Sequence, residues 1–175
     1  MPRVIAVTSG KGGVGKSNFV LNVGIALAAM DCSVQIMDAD LGLANLDVLL
    51  GIRPLRTLDD LIAGRASLED ITIKTAYDIE LIPGGSGTQQ LTELDQSQVG
   101  TLVESVADQA RSKDFILVDT GAGISKATVG FLLAAPEVLV ATSRNGWKPG
   151  ASRTCRYWPT CPPIKRGSPF RACPC

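Results

Sequence analysis

The most specific chemistry in this sequence is concentrated in one glycine-rich segment near the N-terminus. Residues 10–17 read Gly-Lys-Gly-Gly-Val-Gly-Lys-Ser, which fits the spacing of a glycine, four residues and then Gly-Lys-Ser. Small residues let successive backbone N–H groups point at phosphate oxygens, while Lys16 supplies a positive charge and Ser17 a hydroxyl for Mg²⁺. We predict a phosphate-binding loop rather than an ordinary glycine-rich turn. Its contacts are assigned to Gly12, Gly13, Val14, Gly15, Lys16 and Ser17.

A second lysine, Lys11, lies within the same loop. A phosphate-binding loop of the usual kind needs only the lysine at position 16. The additional cation therefore has to be matched by further negative charge, unless Lys11 is simply a solvated loop residue. The sequence leaves both interpretations open.

Three aspartates stand where short apolar runs end. Asp38 and Asp40 are two residues apart, so in an extended segment their carboxylates point to the same side. One could hold Mg²⁺ through water while the other orients an attacking water. Asp119 follows the apolar run 115–118 and could bind the same metal, and the amides of residues 121–123 could detect a terminal phosphate. Turn formation and helix capping are the alternatives.

The elements that must position these residues alternate along the first 143 residues. Apolar runs predict strands, and apolar residues recurring every three or four positions predict helices. Repeated strand and helix units indicate an α/β domain with a mostly parallel sheet, whose functional residues lie at the carboxyl ends of the strands. The predicted strands are 3–8, 34–37, 79–82, 114–118 and 138–142, and the predicted helices are 16–30, 97–111 and 126–133.

The last 32 residues have a different composition. All 17 acidic residues lie at or before Glu137, whereas seven of the 17 basic residues, six of the ten prolines and four of the five cysteines lie at or after Arg144. No period of a helix or strand runs through this part. We therefore divide the chain into a domain, 1–143, and an irregular basic tail, 144–175, with a reading-frame change near residue 144 as a hypothesis for their junction.

Composition also excludes several kinds of chemistry. The sequence has no histidine, which rules out a Ser-His-Asp or Cys-His nucleophile and a histidine-ligated metal. The tail cysteines do not have the spacing of a standard zinc or cluster motif. Neither a bilayer-spanning apolar stretch nor a secretory signal is visible, so we expect the cytoplasm.

Three segments together resemble a known family. Residues 11–17, 38–47 and 119–125 resemble the deviant Walker A ATPases of the MinD/ParA group. Within that group, residues 42–45, 68–71, 82–87 and 121–125 are most similar to the regulators of flagellar number. The resemblance covers about residues 3–142 and implies a three-layer P-loop NTPase fold that is incomplete at its C-terminal end.

The resemblance also implies roles for the site residues. ATP drives formation of a sandwich dimer in this family, so Lys11 would cross to the partner's phosphates while Lys16 and Ser17 act within their own subunit. Asp38 and Asp119 would serve Mg²⁺, and Asp40 would position the hydrolytic water. Nucleotide contacts are further assigned to Asn45, near the partner's switch region, and to Gly123.

The function that the resemblance implies is a slow ATPase that acts as a dimerisation switch in flagellar number or placement. Its expected partners are a second copy of the chain and flagellar assembly or regulatory proteins, with transient contact at the inner face of the cell membrane and no specific nucleic acid. Three alternatives stay open: a cell-division site ATPase, a truncated nucleotide-binding remnant, and an iron–sulfur carrier. The absence of a C-x-x-C pair argues against the carrier.

Overall fold

The computed structural model of this chain describes residues 2–40, 44–85 and 94–142. Its strands are β1 (Arg3–Ser9), β2 (Val34–Ala39), β3 (Ile73–Lys74), β4 (Ile79–Ile82), β5 (Phe115–Ala122) and β6 (Glu137–Ala141). Its helices are α1 (Lys16–Ala28), α2 (Leu46–Leu50), α3 (Leu58–Ile62), α4 (Leu68–Ile71), α5 (Gln96–Gln109) and α6 (Lys126–Ala134).

The described strands form one sheet in the order β3-β4-β2-β5-β1-β6. All pairs are parallel except β3 with β4, which are antiparallel. β1, β2 and β5 are adjacent at the centre, because β5 pairs with both of the others. Their carboxyl ends therefore meet at one edge of the sheet.

Apolar side chains cover both faces of this sheet, as the continuous apolar runs predict. On one face Val20 of α1 packs with Ile36 and Leu117. On the other face Val99 of α5 and Phe131 of α6 belong to the same cluster as Met37 and Val118. Helix, sheet and helix make the three layers of the predicted α/β fold.

Two strands are longer than predicted, and the difference changes the setting of the aspartates. β2 runs through Ala39 and β5 through Ala122, so Asp38 and Asp119 lie inside central strands instead of after them. Both side chains are consequently buried. Burial of a carboxylate is costly unless it is paired or hydrogen-bonded.

Several predictions concern residues outside the described ranges. These are the middle of the 38–47 segment, the end of the 82–87 segment and the basic tail, which begins beyond Thr142. The domain boundary at residue 143 and the frame-change hypothesis therefore stay predictions. None of the helices in the described part has the length and hydropathy that crossing a bilayer requires.

Candidate nucleotide-binding site

The loop between β1 and α1 has the backbone shape that phosphate binding requires. Gly13 and Gly15 have φ of 73° and 88°, in the left-handed region that favours glycine. A Cβ placed on Gly12, Gly13 or Gly15 would meet no atom within 4 Å, so the loop borders open space. No side chain caps α1 at Gly15, which leaves the first N–H groups of the helix available to an anion.

Lys16, the first residue of α1, turns back into the protein and forms an ion pair with Asp119 of β5. Both side chains are buried, with 6% and 0% exposed. Burial raises the pKa of Asp119, and hydrogen bonding and charge from Lys16 oppose that rise. Oδ2 of Asp119 is buried without a hydrogen-bond partner, so half of this carboxylate remains available for another ligand.

Asp38 faces Asp119 across the β2–β5 ladder. Its carboxylate accepts three backbone N–H bonds, from Asp40 at 3.2 Å and from Asn45 and Leu46 at 3.0 Å each. Burial raises its pKa to about 6, although the backbone bonds lower it and the charge of Asp119 adds a smaller rise. The hydrogen bonds of the Asp38 carboxylate thus come from backbone N–H groups that follow it within eight residues.

Asp40 lies beside the end of β5. A Cβ added to Gly121 would be 3.4 Å from Oδ1 of Asp40 and 3.3 Å from the hydroxyl of Thr128. Gly123, with φ of 90°, donates its N–H to the carbonyl of Ser9 at 2.9 Å. The 121–123 segment is thus held between Asp40 and the end of β1, where sequence alone predicts a phosphate-sensing element.

Lys11 and Asn45 have exposed side chains. The backbone of Lys11 is anchored, because its carbonyl accepts a hydrogen bond from the Ser9 hydroxyl at 2.9 Å. The N–H of Asn45 is one of the donors to Asp38. The structure therefore gathers Lys16, Asp119, Asp38 and Asp40 at one edge and leaves these two side chains facing solvent.

One residue near the site is missing from the predicted set. A Cβ on Gly84 would lie 2.7 Å from the Cβ of Ala44 and 2.8 Å from the carbonyl oxygen of Asp38. Gly84 belongs to the 82–87 segment that carries part of the family resemblance. The signal was the Pro-Gly-Gly run, residues 83–85, that follows β4, since glycine permits a close approach of backbone.

Comparison with known proteins agrees with this geometry. A family model described as "ParA: NUBPL iron-transfer P-loop NTPase" matches residues 1–77. The solved structure of the septum site-determining protein MinD from Pyrococcus horikoshii, complexed with Mg-ADP, has a TM-score of 0.72 and 33% identity over 81% of this chain and 58% of its own. This chain is recognised as a MinD/ParA-type P-loop NTPase.

Two curated relatives of this MinD/ParA-type protein have names linked to the flagellum. The antiactivator FleN of Pseudomonas aeruginosa is 46% identical over 138 residues, which are 79% of this chain and 49% of FleN. The flagellum site-determining protein YlxH of Helicobacter pylori is 38% identical over 141 residues, 81% of this chain and 48% of YlxH. The chain spans about half the length of the curated relatives it matches.

The residues present in this MinD/ParA-type domain fit a magnesium nucleotide. The free Oδ2 of Asp119 offers an oxygen ligand, and the open glycine loop offers uncapped N–H groups to phosphates. Among the described residues, no three Asp, Glu or Cys side chains gather into a metal site of their own. Mg²⁺ would therefore depend on phosphate oxygens and water as well as on protein oxygens, as is usual for this ion.

Proposed function

We propose that this chain binds Mg-ATP at the 10–17 loop, hydrolyses it slowly, and dimerises in the ATP state as a switch that regulates flagellar number or placement. The observation that carries the proposal is the open, uncapped start of α1 beside a buried lysine whose partner, Asp119, keeps one oxygen free. This arrangement suits a phosphate anion and a divalent cation at the same place.

Each side chain has a role in the proposed reaction. Lys16 and the loop amides hold the phosphates, and Ser17 with Asp119 would hold Mg²⁺, with Asp38 acting through water. The ion, when bound, neutralises charge on the phosphates. Asp40 orients the attacking water, and the amides of 121–123 respond to the terminal phosphate.

In the proposed dimer Lys11 has a specific role. Its side chain is exposed on an anchored loop, so its ammonium group can approach a second copy of the chain. In this role Lys11 reaches the phosphates bound by the partner subunit, and Asn45 lies near the same interface. If a lysine reaches the bound phosphates only in the dimer, the rate of hydrolysis depends on dimer formation, as it does with an arginine finger.

The flagellar role is favoured over a cell-division role by the order of similarity. FleN is 46% identical to this chain, whereas the MinD structure from P. horikoshii is 33% identical. We propose flagellar assembly or regulatory proteins as partners, a cytoplasmic location, and transient contact with the inner face of the membrane. A MinD-like role in cell division is the second candidate.

Light scattering on the purified full chain tests the switch. At low protein concentration, where association that needs no ATP is negligible, we expect a dimer with Mg-ATP and a monomer with Mg-ADP, accompanied by slow release of phosphate. Lys16→Gln is the matched control and should stay monomeric with either nucleotide. The same mass in both nucleotides, without ATP binding, would contradict the proposal and support a nucleotide-binding remnant.

Complementation separates the two cellular roles. Expression in bacteria that lack their flagellar-number regulator should restore the normal count of flagella. Expression in bacteria that lack MinD should leave minicell formation unchanged. The reverse pattern would favour the cell-division role.

A further inference from the structure

The segment that follows β4 approaches the candidate site from the side opposite β5. Its Gly84 has no room for a side chain, because an added Cβ would be 2.7 Å from the Cβ of Ala44, 2.8 Å from the carbonyl oxygen of Asp38 and 3.3 Å from its carboxyl carbon. Distances under 3.0 Å to backbone atoms force a shift of the chain. Gly84 therefore packs closely against Asp38, two residues before Asp40, and against Ala44.

Asp38 binds backbone N–H groups of the neighbouring described residues from inside the sheet. Its Oδ1 accepts from the N–H of Asp40, and its Oδ2 accepts from the N–H groups of Asn45 and Leu46. The Asn45 side chain does not cap α2, whereas Asp38 accepts from the N–H of Asn45 itself and from that of Leu46, the first residue of the helix. Leu46 is fully buried beside them, where an unpaired N–H would be costly.

These two sets of contacts act on the backbone near Asp40 from two directions. Asp38 binds the N–H groups of positions 40, 45 and 46, and Gly84 allows the segment after β4 to pack against Ala44. The position of the Asp40 carboxylate beside Gly121 therefore depends in part on this backbone. A displacement of about 1 Å at a water-orienting group is enough to lower a rate about a hundredfold.

We propose that Asp38 and Gly84 form a seat that fixes the backbone at Asp40 and at residues 44–46, and that they act as positioning residues for Asp40. Asp38 contributes the hydrogen-bond acceptors for the backbone N–H groups. Gly84, which has no side chain, leaves room for Ala44 and for the carbonyl oxygen of Asp38. The conformational part of this proposal stands on the contacts alone, whereas its consequence for hydrolysis rests on the proposed function.

Hydrogen exchange of individual backbone amides, followed by NMR on the full chain without nucleotide, tests the seat. In Asp38→Asn the side-chain nitrogen cannot accept a hydrogen bond, so either Asp40 or the pair Asn45 and Leu46 loses its acceptor, according to which way the amide faces. Exchange at the affected N–H groups should accelerate about tenfold, in line with the loss of one or two hydrogen bonds. Exchange in β1 and α5 should stay unchanged. Unchanged exchange at all three positions, or a uniform rise along the chain, would overturn the proposal.

Gly84→Ala tests the other half of the seat. Its matched control is Gly100→Ala, because a Cβ on Gly100 in α5 would meet no atom within 4 Å. We expect faster exchange at Asn45 and Leu46 only in Gly84→Ala. Adding Ala44→Gly removes the contact at 2.7 Å and should restore part of the protection, whereas a general packing defect would not respond to this change.

Turnover of ATP provides the functional readout. Asp38→Asn and Gly84→Ala should lower kcat at least tenfold while the affinity for a fluorescent ATP analogue changes less than about threefold, and Gly100→Ala should match the parent. Equal losses of affinity and kcat would contradict a positioning role. If the parent does not hydrolyse ATP, the proposed function fails, and the exchange data still decide whether the seat exists.

Discussion

At the scale of single residues, the pairing of Lys16 with Asp119 dominates the site. Both side chains are almost completely buried, and removal of one partner from such a pair leaves an uncompensated charge inside the protein. The same lysine is expected to contact phosphate. In the nucleotide-free domain each of these charges therefore depends on the other for compensation, and the proposed reaction uses the same two groups.

The first prediction concerns this pair. Asp119→Asn should lower the free energy of unfolding without nucleotide by about 3 kcal/mol, because Lys16 stays buried without its counterion. Urea unfolding measures the change. Asp108→Asn is the control: it breaks the exposed pair with Arg111 and should cost less than about 1 kcal/mol. Similar costs for the two variants would show that the buried pair does not stabilise the domain.

Lys11 carries the second prediction. Lys11→Ala should lower ATP turnover by roughly 10³, by analogy with the loss of an arginine finger, because the proposed dimer depends on this charge in trans. Phosphate release at saturating ATP measures it. Lys126→Ala, another exposed lysine at the start of α6, is the control. Parental turnover in Lys11→Ala would exclude the trans role.

The third prediction follows from the buried carboxylate of Asp38. Burial raises its pKa to about 6, above the ordinary value of about 4, so the folded state keeps this proton to higher pH than the unfolded state. The contribution of Asp38 to stability is therefore greatest below pH 4 and falls as the pH rises to about 6, by roughly 3 kcal/mol at most. Above that pH no further change is expected.

Comparison with Asp38→Asn isolates this titration from that of other carboxylates. The free energy of unfolding should be measured from pH 4 to 7 for both proteins, and the parent minus the variant should decrease with pH. A difference that is constant or rises with pH would show that the backbone bonds outweigh burial and hold the carboxylate in its charged form.

At the scale of elements, the start of α6 links the sheet to the 121–123 segment. Ser125 accepts a hydrogen bond from the N–H of Thr128 at 3.1 Å and donates its hydroxyl hydrogen to the Thr128 side chain at 2.9 Å. The helix then packs on the sheet through Phe131. A capping residue therefore stands directly between a candidate phosphate sensor and the core.

The fourth prediction concerns this cap. Ser125→Ala should lower the free energy of unfolding by about 1 kcal/mol, and Ser125→Asp should restore it because aspartate also caps. Thermal or urea unfolding measures both. Ser67→Ala, which removes the equivalent cap of α4, tests whether the effect extends to the site: only Ser125→Ala should also accelerate amide exchange at Gly123, whose N–H bonds to Ser9.

Sequence predicted the long elements of this fold and missed the short ones. The predicted strands 34–37, 79–82 and 114–118 are central or adjacent strands of the sheet, because strands buried on both faces require unbroken apolar runs. By contrast, α2, α3, α4 and β3 span five residues or fewer. Such elements are too short to show a period and depend on tertiary contacts and caps.

For the candidate site, sequence spacing predicts the loop but not the contacts between its residues. The glycine spacing predicts the loop before α1, where the structure has it. The ion pair of Lys16 with Asp119 joins positions 103 residues apart, and the close approach of Gly84 to Asp38 depends on the order of strands β4 and β2. Neither juxtaposition follows from spacing in the chain, since both are set by sheet topology.

At the scale of the whole molecule, the described sheet ends in an unusual edge. β6 pairs with β1 on one side and presents Val138, Leu139 and Val140 to solvent with 47%, 38% and 59% exposed. Strands in parallel sheets are normally covered on both faces. Among the described residues, β6 therefore has no strand on its other side and keeps apolar side chains accessible.

The fifth prediction is that β6 causes self-association without nucleotide. An edge strand with unpaired backbone groups and apolar side chains is a template for pairing with another chain, and lysine on such an edge opposes pairing. Light scattering should therefore show an average mass that rises with concentration for the parent and much less for Val140→Lys. Val129→Lys, which places the same charge on the exposed surface of α6, should associate like the parent.

Equal suppression by both variants would indicate a general effect of charge, and no suppression by Val140→Lys would exclude β6 as the contact. Since this association needs no ATP, it also separates edge pairing from the proposed nucleotide switch.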